Sequence, residues 1–133
     1  MKVKKILVSQ PKPLSENSPY FDVIEKFGVK IDFRPFIKVE PVPTKEFKEQ
    51  KVSILNYSVI VFTSRNGIDH FFRICGDLRI TVPEKTKYFC QSEQIALYLQ
   101  KFIHYRKRKV FFPETGKLPD LLNIVGKNPD ENF

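Results

Sequence analysis

Thr63, Ser64, Arg65 and Asn66 stand between an apolar run and an amphipathic stretch, a placement suited to holding an anion. Val59, Ile60, Val61 and Phe62 form an unbroken apolar run rich in β-branched side chains, which predicts a strand buried on both faces of a parallel sheet. Beyond Asn66 the apolar residues Ile68, Phe71, Phe72 and Cys75 recur with the spacing of one helix face. The four polar residues therefore lie at a strand's carboxyl end and a helix's amino end. Unpaired backbone N–H groups and the helix dipole favour negative charge there. A second reading stays open at this point: Ser64 or Asn66 serves only as the helix cap that nearly every helix needs.

The rest of the chain repeats this plan. Val3 to Val8 predicts a first strand, and Ser18-Pro19 a helix start with Phe21, Ile24 and Phe27 inward and Gly28 as stop. Val29 to Ile37 predicts a strand that is interrupted, or lies at an edge, because of Pro35. The prolines of Lys38 to Thr44 predict an extended connector, and Thr44 is expected to cap a helix from Lys45 to Asn56. Two more strands follow, Lys87 to Cys90 and Lys109 to Phe112. The first runs into Gln91-Ser92 and a helix carrying Ile95, Ala96, Leu99, Phe102 and Ile103. The second runs through Glu114 to Lys117 into a helix carrying Leu118, Leu121, Leu122 and Val125, with Gly126 as stop. If right-handed crossovers make these strands parallel, three polar turns line one sheet edge. Ligands of open α/β sheets collect at such an edge.

Composition narrows the partners. The net charge of +8 on 133 residues favours an anionic ligand without naming it. Thirteen Phe and no Trp imply a Phe-based globular core. No apolar stretch approaches the roughly 20 residues of a membrane span, so no membrane is expected. Cys75 and Cys90 stand apart, without Cys-x-x-Cys, so neither a metal site nor a disulfide is expected and a reducing cytoplasm fits. His104 to Lys109 is strongly basic, but it lacks interleaved aromatics apart from Tyr105 and reads as a solvated linker, so nucleic acid is not the expected partner. His70 reads as a rim residue, and neither it nor His104 forms a nucleophile–base pair with a Ser, Cys or acid.

The order of motifs resembles the amino-terminal half of the uroporphyrinogen-III synthase family. Lys5-Ile-Leu-Val-Ser-Gln-Pro11 is similar to that family's opening strand and loop, with Ser9-Gln10 where many members place an Arg. Phe27-Gly-Val-Lys-Ile-Asp-Phe-Arg-Pro-Phe-Ile37 resembles its passage from leader helix through glycine and second strand to proline. Tyr57-Ser-Val-Ile-Val-Phe-Thr-Ser-Arg-Asn-Gly67 is similar to its strand ending in a Thr-Ser-like pair before Asn and a small residue. Lys87-Tyr-Phe-Cys-Gln-Ser-Glu-Gln-Ile-Ala96 stands where the family has a strand, a Gly and a small hydroxyl residue before a helix, with Cys90-Gln91 replacing the usual small residue and Gly.

The resemblance implies a two-lobed α/β architecture built on parallel flavodoxin-like open sheets with helices on both faces. It also implies a cofactor-free reaction: hydroxymethylbilane, a linear polycarboxylate tetrapyrrole, loses water, its last ring inverts through a spiro intermediate, and uroporphyrinogen III closes. By the same match Thr63, Ser64 and Asn66 are expected to bind substrate carboxylates, then Gln91 and Ser92, then Thr115 and Gly116; no catalytic residue is assigned. Residues 1–37 would begin lobe 1, 38–44 connect, and 45–133 form most of lobe 2. Because the chain stops at Pro129 to Phe133 where another strand is due, it is expected to be a fragment with little or no turnover, lobe 1 pairing with its missing carboxy-terminal half or with a second copy. The alternative is a non-catalytic family member that binds a tetrapyrrole or a partner protein. A receiver domain would need a cluster of acids at the strand ends, and there are none at Ser9, Thr63 or Cys90; a flavodoxin would need a Ser/Thr-rich phosphate loop after the first strand, and Ser9 to Asn17 matches it poorly.

Overall fold

The computed structural model describes residues 2–107 and 109–133; Arg108, within the basic run His104 to Lys109, lies outside the described residues. The chain forms two compact units, one ending at Glu40 and the other beginning at Pro41.

The first unit is a strand–helix–strand. β1 (Lys5–Val8) pairs in parallel with β2 (Lys30–Phe33), Lys5 opposite Lys30 and Val8 opposite Phe33, and α1 (Pro19–Phe27) crosses between them. Ser18 takes the cap position with extended backbone, but only its carbonyl is used, accepting from the Phe21 N–H at 2.9 Å. Gly28 ends the helix at φ 61°, a left-handed conformation that a side chain would strain, and its N–H reaches the Ile24 carbonyl. Both strands are shorter than the sequence predicts. The Arg34 N–H to Val8 carbonyl bond is the last rung, and Pro35, with no N–H to donate, cannot extend the ladder. Lys5 and Asp32 pair at 2.9 Å, and this ammonium, foremost by its hydrogen bond, holds the Asp32 carboxyl below its ordinary range.

The second unit is a parallel sheet covered on both faces. α2 (Thr44–Glu49) leads to a single 3-10 turn, Ile54–Asn56, and then to β3 (Val59–Phe62), α3 (Arg65–Asp77), β4 (Lys87–Cys90), α4 (Glu93–Leu99), β5 (Val110–Phe111) and α5 (Leu118–Gly126). The sheet order is β3-β4-β5, with Phe62 opposite Cys90 and Tyr88 opposite Val110. On one face Phe62, Ile68, Tyr88, Cys90, Ala96, Leu99 and Val110 form a buried cluster under α3 and α4. On the other, Val59 and Phe89 pack against Leu121 of α5. The protein is thus α/β with parallel strands, as its residues predict.

Four local expectations are corrected. The helix expected over Lys45 to Asn56 breaks, because Lys51 turns left-handed at φ 54° and Ser53 is extended. Thr44 is the first helical residue, with Pro43 in the cap position; its hydroxyl donates to Asp77 Oδ2 at 2.5 Å. Val61 is 40 % exposed because β3 lies at the sheet's edge rather than in its middle. Gly126 stays helical and the stop is Lys127, while the Asn128 side-chain amide takes up the Ile124 carbonyl at 2.9 Å.

Candidate functional site

Parallel pairing places the carboxyl ends of β3, β4 and β5 on one sheet edge; β3 and β4 turn directly into α3 and α4, while β5 reaches α5 through the loop 112–117. At the first turn, Ser64 is extended and its Oγ accepts from the Gly67 N–H at 3.0 Å, satisfying one amino-terminal amide of α3. A Cβ on Gly67 would lie 3.3 Å from that oxygen, so a small residue here keeps the cap open. Thr63, Ser64, Arg65 and Asn66 are all solvent-exposed. Among the described residues, the Thr63 and Asn66 side chains form no hydrogen bond and are free to meet a ligand.

The second and third turns touch. The Gln91 N–H donates to the Phe62 carbonyl at 2.9 Å, which sets the ends of β3 and β4 level. The Gln91 side-chain amide reaches the Gly116 carbonyl at 3.4 Å, and a Cβ on Gly116 would stand 3.6 Å from Ser92 Cβ. Gly116 has φ 67°, so its turn needs glycine for backbone reasons as well. Ser92 caps α4 by position, with extended backbone, yet its hydroxyl makes no capping bond. Thr115 is engaged within its own turn: its hydroxyl donates to Asp120 and accepts from the Lys117 N–H at 3.2 Å. The structure therefore joins Gln91 to Gly116 by a hydrogen bond with Ser92 beside them, places Thr63 to Asn66 at the neighbouring strand end, and turns the Thr115 hydroxyl toward α5.

The charge around the rim is mixed. Arg65 supplies a cation, its guanidinium 5.4 Å from the Tyr98 ring centre, and Lys117 sits at the start of α5. Glu93 opens α4 and works against an anion there. Tyr98 donates to Asp69 Oδ1 at 2.8 Å, a bond that raises its pKa and keeps the phenol neutral under Arg65. The sequence reading missed Tyr98 because nothing in its helical spacing tells that α4 brings it beneath Arg65. The strand floor under the rim is uncharged, since burial pushes the Cys90 thiol up to about 12. Both cysteines are free and buried, and among the described residues no three His, Cys, Asp or Glu side chains gather as a metal site. Backbone donors, hydroxyls and one guanidinium suit the binding and orienting of carboxylates, with no strong nucleophile in the arrangement.

Among the described residues no helix is long and apolar enough to cross a membrane. Comparison with curated proteins and with solved structures found no match. The family model described as "Uroporphyrinogen-III synthase HemD" matches residues 18–132, a span that includes all three polar turns. On that match, the chain belongs to the uroporphyrinogen-III synthase family, whose business is porphyrin biosynthesis.

Proposed function

We propose that this protein takes part in the dehydrative cyclisation of hydroxymethylbilane to uroporphyrinogen III, using the rim of its second unit to hold the substrate's acetate and propionate carboxylates. The observation that carries the reading is the Gln91–Gly116 hydrogen bond, with Ser92 beside it and the open Thr63–Asn66 turn at the next strand end, within a chain of this family. Thr63, Asn66 and Ser92 bind through free side chains, Ser64 through the helix end it caps, and Gln91 and Gly116 by shaping the turn. Thr115 contributes least, because its hydroxyl is committed to Asp120.

The chemistry asks little of acid–base residues. A pyrrole nitrogen expels the hydroxyl from the linear substrate, and the remaining difficulty is to close the inverted ring before the uninverted one closes. Holding several carboxylates at fixed points restricts the chain to the productive geometry, the contribution that orientation makes to a unimolecular step. The net charge of +8 steers the polyanion to the protein. We also place this chemistry in the cytoplasm, a reading supported by two unpaired, buried thiols.

The first unit is thinly packed: among its described residues only Val29 is buried, and Leu7 is 61 % exposed. We propose that its sheet gains strands by pairing, with further sequence of the family or with a second copy, and that the 133 residues alone show little or no turnover. The test supplies hydroxymethylbilane to the full-length protein, oxidises the products and separates the isomers. A III fraction above the spontaneous background supports the reading, and the I isomer alone overturns it. Retention of uroporphyrin III without any III product would instead favour a non-catalytic tetrapyrrole binder.

A further inference from the structure

The opposite end of the second unit's sheet holds a cavity of about 400 Å³. It opens where β4 and β5 begin, away from the polar turns, between the later part of α3, the Ile80 to Glu84 segment, the Phe102 to Arg106 segment and Lys109. Its walls are aromatic and aliphatic. Phe72 and Phe102 lie face to face with ring centres 4.8 Å apart and planes 7° from parallel, and Ile80, Val82, Ile103 and Tyr88 complete the apolar surface. The mouth is cationic: Arg106 and Lys109 line it together with His104, against the single acid Glu84. Among the described residues neither Arg106 nor Lys109 makes a salt bridge, and the Lys109 ammonium is held instead by the neutral Glu84 carbonyl.

We propose that this cavity binds a small aromatic monoanion, its ring system against the Phe72–Phe102 surface and its carboxylate or sulfonate toward Arg106 and Lys109. The volume falls in the range of small-molecule sites, and an apolar body with few convergent polar groups is their usual chemistry. Phe72 and Phe102 are stacked on each other, so they offer a guest one aromatic surface, against which another ring packs offset or edge-on. The interior adds no competing charge, because burial raises the Cys75 thiol and pushes the Tyr88 phenol up to about 12. The site stands apart from the tetrapyrrole rim and does not depend on that assignment.

The probe is 8-anilinonaphthalene-1-sulfonate, followed by amide shifts in ¹H–¹⁵N spectra so that exposed apolar surface elsewhere is not mistaken for the site. Saturable shifts at Gly76, Thr81 and Ile103 are expected, with one equivalent bound. Arg106 is exposed, so Arg106→Glu should fold normally and weaken binding about tenfold, the scale of one reversed charge contact. The uncharged analogue N-phenyl-1-naphthylamine should bind more weakly than the sulfonate to the native protein and equally to both proteins. A second variant, Gly76→Leu, projects into open space on α3 and should reduce the affinity of both probes. Shifts confined to other residues, or equal sulfonate affinity in native and Arg106→Glu proteins, would overturn the proposal.

Discussion

Replacing Ser64 separates capping from binding. The Ser64 hydroxyl accepts the Gly67 N–H at 3.0 Å, so Ser64→Ala strands one amide at the start of α3. Losing such a cap costs about 1 kcal/mol, and for a unit of this size 1 kcal/mol lowers the melting temperature by roughly 4–8 °C. Ser64→Asp behaves differently. Aspartate caps as well as serine does and its charge favours the helix dipole, so the melting temperature should match or slightly exceed that of the native protein. The same carboxylate would face a bound carboxylate across the rim. At about 4 Å two like charges repel by about 1 kcal/mol in water and about 4 kcal/mol in a partly protein environment. The turn is exposed, so about 1–2 kcal/mol is expected, or roughly a 5- to 30-fold loss of affinity. Melting by circular dichroism gives the first quantity, and quenching of uroporphyrin III fluorescence gives the second. Native-like affinity in Ser64→Asp would refute anion binding at this helix end. A melting loss equal to that of Ser64→Ala would refute the cap.

Other expectations follow from the core and the chain end. Leu121 is fully buried against Val59 and Phe89, so Leu121→Ala should cost about 2–5 kcal/mol in urea unfolding; a loss below about 1 kcal/mol would mean that α5 does not cover this face. The Lys87 ammonium, with help from the Ser58 hydroxyl, holds the Glu131 carboxyl below its ordinary 4.5, so the stabilisation it brings is present above that pH and is lost as pH falls through the lowered value. Glu131→Gln should therefore melt lower than the native protein at pH 7, and the gap should shrink as pH falls below the ordinary 4.5; a constant gap would contradict the pairing. Cys90 should resist iodoacetamide at pH 8 until denaturant is added. Because its folded pKa lies near 12 against an ordinary 9.0, its contribution to stability should fall as pH rises above 9, and rapid labelling of the folded protein at pH 8 would contradict its burial.

The sequence was most legible where one periodicity dominates. The apolar run of β3 and the Ile68, Phe71, Phe72, Cys75 stripe of α3 mark their elements clearly, because the strand and helix periods differ and little else competes. The shared edge of the three turns follows from crossover handedness, which is a property of the backbone rather than of particular side chains. The break after Glu49 was not legible, since a lysine gives no signal of a left-handed conformation. The edge position of β3 depends on sheet order, and the strand's own residues do not carry that order. Within the site, Ser64's cap could be read from its type and position. The engagement of Thr115 by Asp120 and the placing of Arg65 over Tyr98 arise from how a turn and two helices pack, and no local pattern encodes them.

The central claim is that the three polar turns form a single carboxylate-binding rim, and amide shift mapping with uroporphyrin III tests it most directly. Thr63, Ser64, Asn66, Gln91, Ser92, Thr115 and Gly116 should shift together, with one shared dissociation constant that rises with salt. Shifts absent from these residues, or titrating with unrelated constants from turn to turn, would contradict it.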